Sequence, residues 1–362
     1  MKTILGIIAL LLSGSSAFSQ QNDYGKVWIN GVSINYSTVF SGAQPLNQIF
    51  DTFFAHEYFR SGQSNICDSA GNLILITNGF NIYGKDNEII DNGERLVDSF
   101  FYTEYNSLTW PQGSILLPIG NDKYYCVINI PSDSVWNALH LNCYSDYLLY
   151  NTIDMNANGG AGRVIKKRQV LIEKQNLFSG HMMACRHGNG RDWWLVKQGH
   201  PDSNIIYKFL FTPDSVYGPY IQHFNFVKEE SNTLYTPGQS MFSPDGSKYA
   251  LTWEGRRTLF LADFDRCTGM LSNGKFEKVP LLAIDSIPNQ SDSFNLGLCF
   301  SPNGQLLYIA HLYNIHQLDL TDTNQATRWY KVAGMDTTSV PAFTGYCNIY
   351  PGPDNKLYIG NR

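Results

Sequence analysis

Three histidines, a cysteine and two adjacent tryptophans fall inside one short stretch, HMMACRHGNGRDWWLVKQGH, residues 181–200. Imidazoles are zinc and copper ligands, and a strand presents ligands to one metal only from one face or from converging loops. His181 and His187 are an even number of residues apart, so in a regular strand they share a face, and His200 follows at the end of the next run. Cys185 and His187 share a face too, the arrangement a thiolate–imidazole nucleophile needs, but no third group is placed to orient the histidine. The Gly188–Asn189–Gly190 turn interrupts the stretch and no carboxylate ligand stands beside it. Strand packing is the simpler reading, with a metal centre at His181, His187 and His200 as the alternative and His181 turned toward a central channel in that case.

A second candidate is DMNANGGAGRVI, residues 154–165. Asp154, Asn156, Asn158 and Gly159 match the Asp-x-Asn-x-Asn-Gly opening of a calcium loop, but the closing bidentate glutamate is replaced by Ile165 and no helical pattern flanks it. A Gly-rich hairpin is expected there, calcium being the alternative. Other chemistry finds less support. Gly159–Gly162 lacks the Gly-Lys-Ser/Thr ending of a phosphate loop. No Gly-x-Ser-x-Gly elbow occurs, and Ser114 lies in an apolar run. Glu229–Glu230 reads as a solvated connection, Asp263 and Asp265 as caps of a strand end or turn. Lys166–Lys167–Arg168 reads as a solvated strand end. No catalytic residue, cofactor or metal is therefore assigned.

The elements that carry these residues repeat. SAGNLILITNG (69–79), GNDKYYCVIN (120–129), GNGRDWWLVKQG (188–199), SPDGSKYALTWE (243–254), SPNGQLLYIAHL (301–312) and GPDNKLYIGN (352–361) each place a tight turn before an apolar, aromatic strand. Gly71, Asp122, Gly190, Gly246, Gly304 and Asn355 anchor the turns, where a positive φ is needed. Copies stand about 50–70 residues apart, with room for roughly four short strands each, the pattern of a β-propeller blade. A composition of 22 Tyr, 21 Phe and 7 Trp suits half-buried strands. The expectation is an all-β propeller of about six to seven four-stranded blades over residues 20–362, its last blade incomplete and the chain truncated at its C-terminus. Pro45–Phe59 reads as a loop or short helix before the first blade.

The N-terminus directs export. Lys2, the apolar run Ile4–Leu12 and the small residues of SGSSAFSQ form a secretory signal, residues 1–19, too short to span a bilayer. No later stretch is long enough to cross a membrane. The net charge of −5 and the absence of a basic block exclude nucleic acid as an expected partner. Seven scattered cysteines without a Cys-x-x-Cys exclude a zinc knuckle and a dense disulfide scaffold.

Beyond single motifs, an ordered series resembles the secreted propeller modules of Bacteroidota surface proteins, themselves similar to the Tol-associated and tryptophan–aspartate repeat propellers. The series runs GNLILITNG (71–79), NGERL (92–96), PQGSILLPIGNDKYYCVINI (111–130), DMNANGGAGRV (154–164), HGNGRDWWLV (187–196), FSPDGSKYA (242–250), FDRCTGMLSN (264–273), FSPNGQLLYI (300–309), QLDL (317–320) and GPDNKLYI (352–359). The resemblance implies an exported, non-catalytic module, often joined to immunoglobulin-like domains and a type IX secretion signal, with further domains C-terminal to residue 362. The expected function is a cell-surface or secreted propeller that binds a protein or glycan at its rim or channel. The alternatives are a propeller enzyme cleaving glycans or esters through channel residues, and a glycan-binding module using the tryptophans of DWWL or LTWEG.

Overall fold

The computed structural model describes residues 27–30, 36–40, 45–49, 61–68, 70–97, 107–135, 144–200, 203–225, 236–254, 257–280, 295–311, 313–334 and 346–361. The signal segment 1–19 and Glu229–Glu230 lie outside them.

Each turn anchor read from the sequence takes a left-handed conformation: φ is 87° at Gly71, 54° at Asp122, 73° at Gly190, 72° at Gly246, 70° at Gly304 and 61° at Asn355. Every one reverses the chain between two antiparallel strands, and the sheets they build follow one another along the sequence. Blade 1 holds Val27–Asn30, Tyr36–Val39 and Leu46–Ile49; blade 2 holds Ser64–Cys67, Leu73–Thr77 and Ile82–Tyr83. Blade 3 holds Ser114–Gly120, Lys123–Ile130, Tyr147–Asp154 and Arg163–Ile172. Blade 4 holds Leu177–Arg186, Trp193–Gly199, Ile205–Phe211 and Val216–His223, with the short Tyr144–Ser145 added beside its first strand. Blade 5 holds Thr236–Phe242, Lys248–Glu254, Thr258–Asp265 and Met270–Lys278; blade 6 holds Asn295–Phe300, Leu306–His311, Asn314–Asp319 and Trp329–Gly334. Blade 7 holds Tyr346–Pro351 and Leu357–Asn361.

Seven consecutive antiparallel sheets, with the first strand of each packed against the first strand of the next, make a β-propeller. The stretch before the first recognised repeat supplies a sheet of its own, and Leu46–Ile49 within the expected loop is a strand. Blade 1 meets blade 7 through an aromatic cluster: Trp28 packs edge-on against Phe40, Tyr350 and Tyr358 at centroid separations of 4.7, 6.4 and 5.3 Å. The seventh sheet has two strands among the described residues.

A blade cannot bury both faces alone, so the core lies between blades. One continuous cluster joins blades 4 to 7 through residues such as Trp194, Leu251, Phe260 and Phe300. Two others fill the spaces around blades 2, 3 and 4. The hairpins between the first and second strands of the blades lie on one face of the ring and the connections between blades on the other; these are the turn face and the loop face below.

Candidate functional site

The adjacent tryptophans show how a strand carries two messages. Neighbouring side chains point to opposite faces of a sheet, so Trp193 faces blade 3 and Trp194 faces blade 5. The Trp193 indole N–H donates to the Pro118 carbonyl at 2.7 Å, and that of Trp194 to the Arg266 carbonyl at 2.9 Å. Both rings are buried, 2% and 4% exposed, as is Trp253 at 3%. That overturns the expectation of a glycan platform on DWWL or LTWEG. The Arg266 guanidinium completes the bolt, with Nε donating to the Arg186 carbonyl and Nη1 to that of Asp245.

The three histidines do not converge. His187 stands in the turn-face hairpin, where its Nδ1 accepts from the Asn189 N–H at 3.0 Å and its Nε2 donates to the Cys267 carbonyl at 3.0 Å. Cys185 is buried beside the Gly246 carbonyl, so both ring nitrogens of His187 are engaged away from it and the Cys–His pair does not form. His181 and His200 lie toward the loop face, roughly 15–20 Å and about 25 Å from His187 at about 3.3 Å per strand residue. His181 stacks on Phe178 at 4.9 Å, and His200 stacks on Tyr144 at 3.8 Å. The even spacing of His181 and His187 misleads because the strand is irregular. His181 adopts φ 54°, which breaks the alternation.

Around His181 the structure assembles groups that sequence reading did not single out. Lys197 and Gln198 follow the tryptophans and are fully buried. The Lys197 amine donates to the carbonyls of Phe178 and Gly180, and His181 Nδ1 pairs with Gln198 Oε1 at 2.5 Å. Burial holds the His181 imidazole down to about 3, and the Lys197 charge adds to that. The Gln198 contact and the Thr252 carbonyl facing the ring oppose it and lose. Burial likewise lowers the Lys197 amine well below the ordinary lysine range. A lysine inside WWLVKQG is the one signal in the sequence for this cluster.

The axis itself is laced by side-chain amides. Gln112, just before blade 3, reaches past blade 4 to blade 5. Its Nε2 donates to the Ser240 carbonyl at 2.7 Å, and its Oε1 accepts from the Ser240 N–H at 3.0 Å and hydroxyl at 3.1 Å. Gln239 repeats the device toward blades 6 and 7. Its Oε1 accepts from the N–H groups of Leu298 at 3.2 Å and Ile349 at 3.0 Å, and its Nε2 donates to the Ile349 carbonyl at 2.8 Å. Ser114, weighed as a nucleophile, donates to the Gly62 carbonyl and ties blade 3 to blade 2.

The calcium candidates serve a turn. Asp154 accepts from the Asn156 N–H at 3.0 Å and lies 3.7 Å from the Lys123 amine, Asn156 donates to the Asn121 carbonyl, and Asn158 opens a short 3-10 turn with φ 53°. Asp265 caps a turn, while Asp263 instead makes cross-strand contacts. Asp263 pairs with Lys248 at 2.8 Å and accepts from Asn273, and Asp265 accepts from the Cys267 N–H and the Thr268 hydroxyl. Lys167 and Arg168 bind the Glu94 and Arg95 carbonyls of blade 2. Among the described residues no group of three or more His, Cys, Asp or Glu side chains is placed to hold a metal, and no helix is long and apolar enough to cross a membrane.

On the rim, the outer strand of blade 4 is uncharged and its apolar residues face solvent: Tyr217 is 50%, Tyr220 46% and Ile221 52% exposed. Its partners Lys208↔Tyr220 and Leu210↔Tyr217 show one residue opposing two between them. This bulge puts both tyrosines on the same face, toward blade 5, where Tyr220 packs against Trp194 at 5.8 Å.

No family model matches the chain, and no curated protein does. Among solved structures it is similar to hydrazine synthase of Kuenenia stuttgartiensis, at 12% identity and TM-score 0.47, covering 99% of this chain and 98% of that one. It is similar to the Swd1 β-propeller domain of Myceliophteria thermophila, at 9% identity and TM-score 0.47, covering 96% and 91%. The extracellular domain of a putative hybrid two-component system from B. thetaiotaomicron aligns at 10% identity and TM-score 0.45, covering 97% of this chain and 39% of that one. At these values the propeller assignment rests on the seven consecutive sheets.

Proposed function

We propose that the chain is an exported β-propeller that works as a non-catalytic interaction module at or outside the cell surface, of the Bacteroidota kind whose motif series it shares. The observation that carries this reading is where the reactive side chains go. His181 and Lys197 hold backbone carbonyls and a glutamine, the carboxylates close turns, and glutamine amides bridge the axis. Chemistry needs groups left available in a cleft, whereas a partner needs a rigid surface. Tyr217 and Tyr220 supply that surface, because exposed aromatic residues on a charge-free strand match the composition of interface centres. The partner is a protein that packs on the rim of blade 4.

The test begins with the secreted protein, whose mature N-terminus is Gln20 if the signal is cleaved after Ser19. The full chain is then assayed for turnover of glycan and ester substrates and for bound metal, and cross-linked on cells with and without Tyr217→Ser/Tyr220→Ser. Partner cross-links lost in the double variant, without turnover, support the reading. Sustained turnover with stoichiometric metal would overturn it in favour of a propeller enzyme.

A further inference from the structure

The first strand of blade 4 departs from β geometry at one place. It pairs Leu177 with Gly199 and then Met182 with Lys197, so Phe178–His181 form a wide bulge opposite Gln198. His181 closes the bulge in the left-handed region, which a residue with a side chain holds only under constraint. Buried polar groups provide the constraint. The Lys197 amine holds the carbonyls of Phe178 and Gly180, and the Asn129 amide holds those of Phe178 at 3.0 Å and Ser179 at 2.7 Å. Gln198 Oε1, an acceptor, fixes the imidazole proton on Nδ1. His181 Nε2 and Gln198 Nε2 are buried without a hydrogen-bond partner.

Each element packed on His181 matters for its response to acid. Its own strand presents Phe178, the second strand Lys197, Gln198 and His200, and blade 5 presents Thr252 and Trp253. Blade 3 contributes Asn129, and the short strand added to blade 4 contributes Ser145 and, stacked on His200, Tyr144. The titratable groups among these are Lys197, His200 and the Tyr144 phenol. Neither His181 nor Lys197 forms an ion pair with a carboxylate among the described residues.

We propose that His181 and Lys197 form an acid-released latch. The neutral imidazole holds the bulge on the second strand at neutral pH, and proton uptake by His181 frees it and opens the inner strand of blade 4. The driving force is two cations in a dry site with no anion between them. The sign follows from the proton count. The folded site resists protonation, while the opened strand exposes an ordinary histidine near 6.5, so the opened form binds the proton first as pH falls. Closure is at full strength above about 6.5, weakens as pH drops, and stops weakening below about 3.

Hydrogen exchange of the full chain at pH 7 and pH 4.5 tests this, with intrinsic rates divided out and peptides from blade 7, which holds no histidine, as the internal reference. Protection at 177–186 and 193–199 falls roughly a hundredfold in the wild type and less than about threefold in His181→Gln. Lys197→Met, which removes the like charge, leaves the onset near 6.5 and ends the weakening at a higher pH, because the folded imidazole then takes up its proton more readily. An unchanged pH response in His181→Gln, or an equal loss in blade 7, would overturn the latch. Should the variants fail to fold, the carbon-13 titration of His181 in the wild type decides. An imidazole still neutral at pH 4.5 supports the proposal, and one that titrates near 6.5 refutes it.

Discussion

Gln239→Met asks whether the amides across the axis hold the ring together. Methionine nearly matches glutamine in length and volume, so the substitution removes hydrogen bonds while leaving little cavity. Gln239 is fully buried, and its loss strips partners from the Leu298 N–H, the Ile349 N–H and the Ile349 carbonyl. An orphaned buried polar group costs about 1–3 kcal/mol. Three groups, with partial rehydration from the loop face, put the loss at about 3–5 kcal/mol, a large share of the ~5–15 kcal/mol that holds a folded domain. Urea unfolding of the full chain reads it as a lower midpoint at unchanged slope. A destabilisation under about 1 kcal/mol would refute the reasoning, since it would mean that water already serves these groups at the axis.

Trp194→Phe removes the indole bond to the Arg266 carbonyl and part of the ring between blades 4 and 5, and should lower stability by about 1–2 kcal/mol in the same urea assay. Thiol reagents should label Cys267, exposed on the turn face, before Cys67, Cys126, Cys185 and Cys299; burial pushes the Cys126 thiol up to about 12 and raises that of Cys299 as well. Mass mapping after brief alkylation checks the order, and early labelling of Cys126 would contradict the packing. Global stability should rise with pH between about 3 and 6.5, by up to roughly 4–5 kcal/mol from His181 at about 1.4 kcal/mol per unit. Thermal unfolding of wild type and His181→Gln across that window measures it, the variant giving the flatter curve.

The repeat was legible because it rests on local chemistry. A tight turn demands a left-handed residue, and glycine, asparagine or aspartate at six regularly placed positions announced six hairpins. Blade 1 carries an Asn30–Gly31 pair, but its strands VWIN, YSTV and LNQI are too short to carry a periodic signal. The axis was illegible for another reason. Gln112 meets Ser240 across 128 residues and Gln239 meets Ile349 across 110, and nothing local marks either glutamine. Lys197 misleads by looking ordinary, because a lysine after an apolar run in a strand reads as the solvent-facing step of an alternation. In the second strand of a blade both faces are covered by neighbouring blades, so Lys197 points to the same buried face as Trp193 and Leu195.

The bulge opposite Gln198 belongs to a wider pattern. The inner strands of blades 4, 5, 6 and 7 all lose register near their loop-face starts, at Leu177/Met182, Pro237/Ser240, Asn295/Gly297 and Tyr346/Ile349. Inner strands that converge on one axis leave little room for paired side chains, and a bulge relieves the crowding by pulling residues out of the ladder. It also leaves backbone N–H and C=O groups that must find partners in a buried place. Blades 5, 6 and 7 meet the need with the neutral amides of Gln112 and Gln239, which do not titrate. Blade 4 meets it with an amine and an imidazole beside a glutamine, and those do. One steric problem thus has two chemical solutions in the same ring, so among these inner strands sensitivity to acid should concentrate in that of blade 4 and leave those of blades 5 and 7 unmoved, while blade 6 carries a separate buried pair, His311 and His316, on its second and third strands.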